Sequence, residues 1–460
     1  MVASISEFQI HLLHGYRTIR LTINDNKIVL VGENGTGKST VANIIYYFLT
    51  CQWNKIAEYD FKEISATINN QKINVTKQQV DSFTEQKNQV YTFRRFPRSV
   101  RQRLEFLIAG QDATQLLDNK DRIKSIAAEY DFPSRVIEEY FLAKSRQDSP
   151  SDEHLKESEN NIKKLINYQV LYLPTYRRIE QDLKTIFPEL DLEVTSLYEK
   201  GYYTRRKQQS YVELIEFGME DVEATISNKM EELKDNLRNS LNNLTGTYLR
   251  DVIRETYQTV DINQLKELDE STIDYIFGRI DEKVLPKQSQ KSLRDFIFDI
   301  KSKKNIKSDR KKVIAHFLLK LIDLQHSQNS KEQDVRNFVE VCNEYLVGKK
   351  IVYDYTNFQI VINLNRETEN YEQLEMRMLS SGEKQIVSLF SHIHLSEITG
   401  YFVIIDEPEL SLSVPWQKRF LPDIIKNVHC NGLVAVTHSP FIFQDNELND
   451  YTHNLEEFVE

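Results

Sequence analysis

The apolar run Lys27-Ile-Val-Leu-Val31 leads straight into Gly32-Glu-Asn-Gly-Thr-Gly-Lys-Ser39, and Val41, Ile44, Ile45 and Phe48 follow at helical spacing. A buried strand, a glycine-rich turn and a helix in that order fit the P-loop pattern. The glycines let successive backbone N–H groups turn inward around phosphates, where the helix N-terminus adds a favourable field. The pattern predicts that Asn34, Gly35, Thr36, Gly37, Lys38, Ser39 and Thr40 contact a nucleotide. Lys38 is placed to bridge the β- and γ-phosphates of ATP, and Ser39 to hold Mg²⁺.

Three further segments belong to the same chemistry, and all lie near the other end of the chain. Phe402-Val-Ile-Ile-Asp406-Glu407 reads as a buried central strand with acids at its C-terminal end, where ligands bind in parallel sheets. Asp406 is expected to hold Mg²⁺ through water, and Glu407 to polarise the attacking water as a general base. Leu379-Ser-Ser-Gly-Glu-Lys384 lies just ahead of that strand, and His438 follows the apolar strand Leu433-Val-Ala-Val-Thr437. About 340 residues separate the P-loop from the Leu379 segment, so something large is mounted between them.

This order of parts resembles an ABC-type ATPase head. The resemblance implies that Ser380, Ser381 and Gly382 open a helix whose N-terminus meets the γ-phosphate held by a second head, with Ser381 where the first of two glycines usually stands. It implies a γ-phosphate-sensing, catalytic role for His438 beside Glu407, and a contact between heads at Glu409 to Ser413. The glutamine that meets Mg²⁺ in such heads has four competing candidates, Gln78, Gln79, Gln86 and Gln89, with Gln86 and Gln89 favoured. Tyr16 is equally a stacking partner for adenine and an ordinary tyrosine.

The expected fold is therefore α/β, an ABC-type P-loop ATPase head with large helical, coiled-coil-like insertions. Residues 1–97 form the N-terminal half of the head, 98–169 a helical insertion and 170–210 a return to the head. Residues 211–347 form a second helical insertion and 348–460 the C-terminal half. Strands are predicted at Ser6–His11, Arg20–Ile23, Ile64–Ile68, Lys72–Val75 and Val170–Leu173, with a hairpin over Ile351–Asn365. Ser145 to Asn161, rich in Ser, Glu, Asp and Lys, reads as an exposed helix tip or mobile loop. Val222, Ile226, Met230, Leu233, Leu237, Leu241 and Leu244 step by four and three, giving a helix with one apolar stripe. Such a stripe serves equally a core-facing helix and a helix that pairs with another.

Composition narrows the functional classes. A net charge of −10 argues against a surface that tracks nucleic acid throughout. Cys51, Cys342 and Cys430 are scattered without metal or disulfide spacing, which points to a reducing, cytoplasmic setting. No window has the length of a membrane span. Arg94, Arg95, Arg98, Arg101 and Arg103, interleaved with Phe93 and Phe96, form a dense basic stretch. It suits phosphates of nucleic acid or an acidic partner, and equally a solvated or inter-subunit face. Tyr176-Arg177-Arg178 directly follows the strand at 170–173 and suits either an interface or nucleotide-sensing role or a structural salt bridge.

Together with Leu173-Pro-Thr-Tyr-Arg-Arg-Ile-Glu180, these parts are similar to the stand-alone ABC-like ATPases of prokaryotic anti-phage defence, the broad group that includes the ATPase halves of overcoming-lysogenization-defect nucleases. Within it the chain most resembles the AriA-like proteins of PARIS systems, with the PtuA-like proteins of Septu systems second. The resemblance implies a sensor or scaffold that forms homo-oligomers through its ATP heads and controls a separate nuclease. A Toprim nuclease is expected with AriA-like proteins and an HNH nuclease with PtuA-like ones. A phage-derived protein is the implied trigger. The 22 residues after His438 are too few for a nuclease domain, which fits an effector on another chain. The same head also suits a RecF-type or structural-maintenance-type repair ATPase that clamps DNA. A transporter subunit is disfavoured by the size of the insertion.

Overall fold

The computed structural model describes residues 3–84, 123–125, 127, 134, 150–174, 211–213, 219–259, 265, 270–279, 285–301, 309–364, 373–396 and 400–460. Gln86, Gln89, the Arg94–Arg103 stretch and Tyr176 to Arg178 lie outside the described residues. In chain order the main elements are β1 (Ile5–Leu13), β2 (Arg17–Thr22), β3 (Lys27–Val31), α1 (Lys38–Leu49), β4 (Glu63–Ile68), β5 (Gln71–Thr76), α2 (Pro150–Leu165), β6 (Gln169–Leu173) and β7 (Tyr211–Glu213). They continue with α3 (Met219–Ile253), α4 (Glu270–Gly278), α5 (Lys287–Lys301), α6 (Asp309–Asn343), β8 (Lys349–Asp354), β9 (Gln359–Leu364) and β10 (Gln373–Leu374). The last are α7 (Ser381–Leu395), β11 (Tyr401–Asp406), α8 (Val414–Ile425), β12 (Cys430–Val436) and β13 (Thr452–Asn454). Contacts divide the chain into one unit of Met1–Ile215 with Ile398–Glu460 and another of Glu216–Glu397.

The first unit holds a six-stranded sheet in the order β13-β3-β12-β11-β6-β7, and every pair in it is parallel. Parallel strands covered on both faces need continuous apolar runs. Ile28 to Leu30, Tyr401 to Ile405 and Leu433 to Val436 supply them, and all are buried. A four-stranded antiparallel sheet, β2-β1-β4-β5, shares the same core. Helix α1 packs on the parallel sheet and also meets β1, where the rings of Phe8 and Phe48 lie edge to face at 5.5 Å.

Two sequence readings change here. The polar stretch expected as an exposed helix tip or mobile loop is helical from residue 150 onward, as part of α2, and instead of standing exposed that helix packs into the unit's core through Leu155 and Ile162. Two apolar positions seven residues apart, two helical turns, anchor it despite its charge. Glu159 on the same helix accepts a hydrogen bond from the Trp53 indole at 3.2 Å. Residues 211–213, expected to begin the second helical excursion, instead pair parallel with β6 as an edge strand of the head sheet.

Gly432 marks the tightest point of this sheet. A Cβ there would stand 2.4 Å from Cε2 of Phe402 and 2.7 Å from the backbone oxygen of Asn26. Phe402 is fully buried and stacked on Tyr168, and that oxygen accepts the Leu433 N–H, so neither neighbour can move freely. Overpacked cores lose about 1–3 kcal/mol. Gly432→Ala should lower stability by that amount in urea unfolding.

The second unit is built on two 35-residue helices, α3 and α6, with α7 packed against both. The stripe Val222, Ile226, Met230, Leu233 and Leu237 is buried within this unit. The hairpin β8–β9 pairs in register from Lys349↔Leu364 to Asp354↔Gln359, and β10 extends it. By these contacts the hairpin and α7 group with the helices, although the sequence reading places residues 348–397 with the head.

Inside this unit a charged cluster centres on the fully buried Glu332 and the nearly buried Arg279, with Arg336 part-exposed at its edge. The Glu332 carboxylate accepts two hydrogen bonds from Arg279 (2.5 and 2.9 Å), one from the Tyr275 hydroxyl (2.8 Å) and one from Arg336 (3.2 Å). The Arg279 guanidinium lies over the rings of Tyr275 at 4.2 Å and Phe358 at 5.1 Å. The cluster ties α4, α6 and the hairpin turn together through one carboxylate.

Candidate nucleotide site

Because β3, β11 and β12 run parallel, their C-terminal ends lie along one edge of the sheet. The pairing of Asp406 with Val436, and of Val436 with Leu30, brings three distant segments to that edge. The loop from Gly32 follows β3, the acids end β11, and Thr437 to Ser439 follow β12.

The loop after β3 turns through Gly35 (φ 83°) and Gly37 (φ 93°), and Gly37 caps α1. Such left-handed conformations favour glycine. Lys38 opens the helix and is buried, and its Nζ donates to the carbonyls of Gly32 at 2.9 Å and Glu33 at 2.8 Å. Burial lowers its pKa, against the pull of Glu407, Asp406 and Glu409. Asn34, Gly35 and Ser39 face solvent, while Thr36, Gly37 and Thr40 are partly covered. The Ser39 hydroxyl donates to Asp406 Oδ1 at 3.0 Å, so two oxygen donors from opposite ends of the chain meet. A hydroxyl and a carboxylate are the hard ligands that Mg²⁺ takes, and this pair fits that ion beside phosphate oxygens.

Glu407 sits just past β11 with φ 54°, a conformation uncommon for a residue with a Cβ and frequent at functional sites. Its Oε1 lies 3.2 Å from Nε2 of His438. Burial, a hydrogen bond with Glu409 and the charges of Glu409 and Asp406 push its pKa up to about 8, with Lys38 opposing. A carboxyl poised near neutrality suits proton acceptance from water.

Several residues around this edge were not singled out by sequence. Arg17 on β2 donates from Nη1 to the Thr36 carbonyl at 2.6 Å, bracing the loop. Asn454 Oδ1 lies 3.2 Å from where a Cβ on Gly32 would stand. Neither carries a sequence signal, since Asn454 reaches the loop through the pairing of β13 with β3 and Arg17 reaches it from a strand of the other sheet. Tyr16, next to Arg17, is 73% exposed. Gln79 accepts the Thr76 N–H at 2.8 Å as a local turn, and Gln78 is exposed.

The Ser380 segment belongs to the other unit. Ser380 caps α7 in a capping box: its hydroxyl accepts the Glu383 N–H, and its own N–H donates to Glu383 Oε2 at 2.7 Å. Lys349 Nζ holds the same carboxylate at 2.7 and 3.0 Å. Burial would raise the Glu383 pKa, but the bonds from Lys349 and Ser380 outweigh it and hold the carboxyl below its ordinary value. Ser380 and Ser381 are exposed at the start of the helix and Gly382 is buried.

Among the described residues, no helix is long and apolar enough to cross a membrane. The model of the AAA_15 family, described as an AAA ATPase domain, matches residues 4–443. No curated protein matches the chain. Among solved structures, it is similar to the Smc head domain with an extended coiled coil bound to the C-terminal domain of ScpA, from Pyrococcus furiosus. That likeness has 12% identity, covers 96% of this chain and 91% of that one, and has a TM-score of 0.33. It is also similar to the Smc head domain with a coiled coil and joint from Pyrococcus yayanosii, at 13% identity, 97% and 94% coverage and a TM-score of 0.31.

Proposed function

Since the chain belongs to the AAA_15 family of AAA ATPase domains, we propose that it is an ABC-type ATPase whose heads pair on ATP and thereby control a separate effector. The observation that carries this reading is the meeting of Ser39 with Asp406, and of Glu407 with His438, at one sheet edge. Lys38 and the loop amides bind and orient the phosphates. Ser39 and Asp406 would hold Mg²⁺, which when bound neutralises charge on the phosphate oxygens. Glu407 takes a proton from the attacking water, and His438 holds the carboxylate side of that pair while sensing the γ-phosphate. Ser380, Ser381 and Gly382, presented at the capped start of α7, act on nucleotide held by a second copy.

The biological role we infer is that of sensor and scaffold in an anti-phage defence complex of the PARIS type. In it the chain forms a homo-oligomer through its heads and restrains a Toprim nuclease, an HNH nuclease being the second choice, until a phage protein triggers release. The support is the resemblance of the motif set to AriA-like proteins, together with the helical unit of Glu216–Glu397 inserted in the chain between the two parts of the nucleotide-site unit. Co-expression with the native flanking genes, followed by affinity capture and mass measurement, tests it. A co-purifying nuclease on a large homo-oligomer is the expected result. A strictly monomeric protein that carries DNA in an ATP-dependent manner would replace this reading with the repair-type clamp.

Lys38→Ala gives the corresponding binding prediction. Charge-assisted hydrogen bonds contribute about 1.5–3 kcal/mol each, so ATP affinity should fall about 10–100-fold in equilibrium titration.

A further inference from the structure

The three residues after β12 are held by a side chain from the loop after β11. Glu409 accepts the Thr437 hydroxyl on Oε2 at 2.7 Å, and on Oε1 the backbone N–H groups of His438 at 2.8 Å and Ser439 at 3.1 Å. Thr437 is fully buried, so the hydroxyl end of this anchor is shielded from water while Glu409 itself is half-buried. A second clamp closes the circuit from outside. The Ser439 hydroxyl donates to Gln417 Oε1 at 2.7 Å, and Gln417 Nε2 donates to the Leu412 carbonyl at 2.9 Å. Gln417 stands on the first turn of α8, directly after the same loop.

We propose that Glu409, backed by Gln417, is the positioning residue for His438, so that the conformation of residues 409–413 sets whether His438 reaches Glu407. Each bond in the circuit ends on the backbone or side chain of Thr437, His438 or Ser439, or on the loop itself. None ends on the nucleotide loop. Moving the loop by the length of one hydrogen bond therefore releases both amides that fix the His438 backbone, and the 3.2 Å contact with Glu407 is lost. Whatever touches the exposed side of residues 410–414, where Leu410 and Val414 are open to solvent, gains a route to the reacting atoms without touching them. The functional part of this inference rests on the reading of Glu407 as the base.

The test uses the full chain, labelled with ¹³Cε1-histidine, with the His438 signal identified by its loss in His438→Ala. Glu409→Ala removes all three acceptor contacts, together with the hydrogen bond between Glu409 and Glu407. It should shift or broaden the His438 signal in nucleotide-free protein, lower kcat at least tenfold and change KM for ATP less than threefold. Glu409→Gln keeps an oxygen for the two amides and an NH₂ for Thr437, so it should return the His438 signal and recover most of kcat. In a His438→Ala background, Gln417→Leu should cost less than about twofold more, because both act through one imidazole, whereas Glu409 also meets Glu407 directly. An unmoved His438 signal, a glutamine variant as impaired as alanine, or losses that multiply in the double variant would each overturn the proposal. If Glu409→Ala does not fold, Gln417→Leu must displace the same signal, and an unchanged signal there also overturns it. Failure of the underlying reading shows separately, as normal turnover by Glu407→Gln, whereas the His438 signal needs no turnover to be read.

Discussion

Glu407→Gln is expected to lower ATP turnover by about 10²–10⁴-fold, the range that a positioned general base contributes, while leaving nucleotide binding in place. The substitution keeps the shape of the side chain and its contact with His438 but removes the ability to take a proton. The pH profile adds a second signature. With the free carboxyl at about 8, kcat/KM for ATP should rise with pH through that value, and the residual activity of Glu407→Gln should lack this limb. The linked stability effect has the opposite sign. The folded value lies above the unfolded one, about 4.3, so the neutral carboxyl contributes stability that is fully present below pH 4 and lost as pH rises through 8. Thermal melts of nucleotide-free protein should therefore show the wild type weakening between about pH 4 and 8 relative to Glu407→Gln, and levelling off above that. Wild-type turnover in the glutamine variant would sink the assignment of the base.

The largest stability effect is expected at Glu332. Its side chain is fully buried and carries two arginines and a tyrosine, with Arg279 only 5% exposed. Removing one partner of a buried ion pair strands the other charge in low dielectric and costs about 3–5 kcal/mol. Glu332→Ala should show that loss in urea unfolding of the helical unit. Replacing Glu332 and Arg279 together by apolar residues should cost less than Glu332→Ala alone, because only the part-exposed Arg336 then loses its partner and no fully buried charge is left unpaired. If Glu332→Ala unfolds at the wild-type midpoint, the cluster is not what binds α4, α6 and the hairpin turn.

The parts of the site that sequence made legible are those whose chemistry is written in consecutive residues. Gly32 to Ser39 announces itself by glycine spacing between a strand and a helix, and Asp406-Glu407 by the apolar run before it. Glu409 was read only as part of a loop, because its partners Thr437, His438 and Ser439 come 28 to 30 residues later and meet it through the parallel pairing of β11 with β12. Asn454 is hidden for the same reason, through the pairing of β13 with β3, and Arg17 because its side chain reaches the loop from a strand of the other sheet. Strand β13 spans three residues, too few for any period to appear. In the helical unit, the Glu332 cluster gathers residues from α4, α6 and the hairpin turn, and each alone reads as an ordinary surface charge or ring. Helix α2 shows the converse, since its charge-rich composition masked two anchoring residues.

The strand that carries the phosphate loop has a consequence for how the protein is made. Among the described residues, β3 lies between β12 and β13 in the sheet, and both neighbours come from the last 31 positions of the chain. The loop is therefore synthesised early, on a strand with both edges bare. At about 5–20 residues per second, roughly 20–80 seconds pass before the residues that cover those edges leave the ribosome. Throughout that interval the chain cannot assemble a closed nucleotide site, and a bare apolar strand is a template for wrong pairing. Whatever authority ATP has over this protein begins only once residues 430–454 have been made and have paired with β3, which makes the nucleotide site a checkpoint on the closure of this sheet.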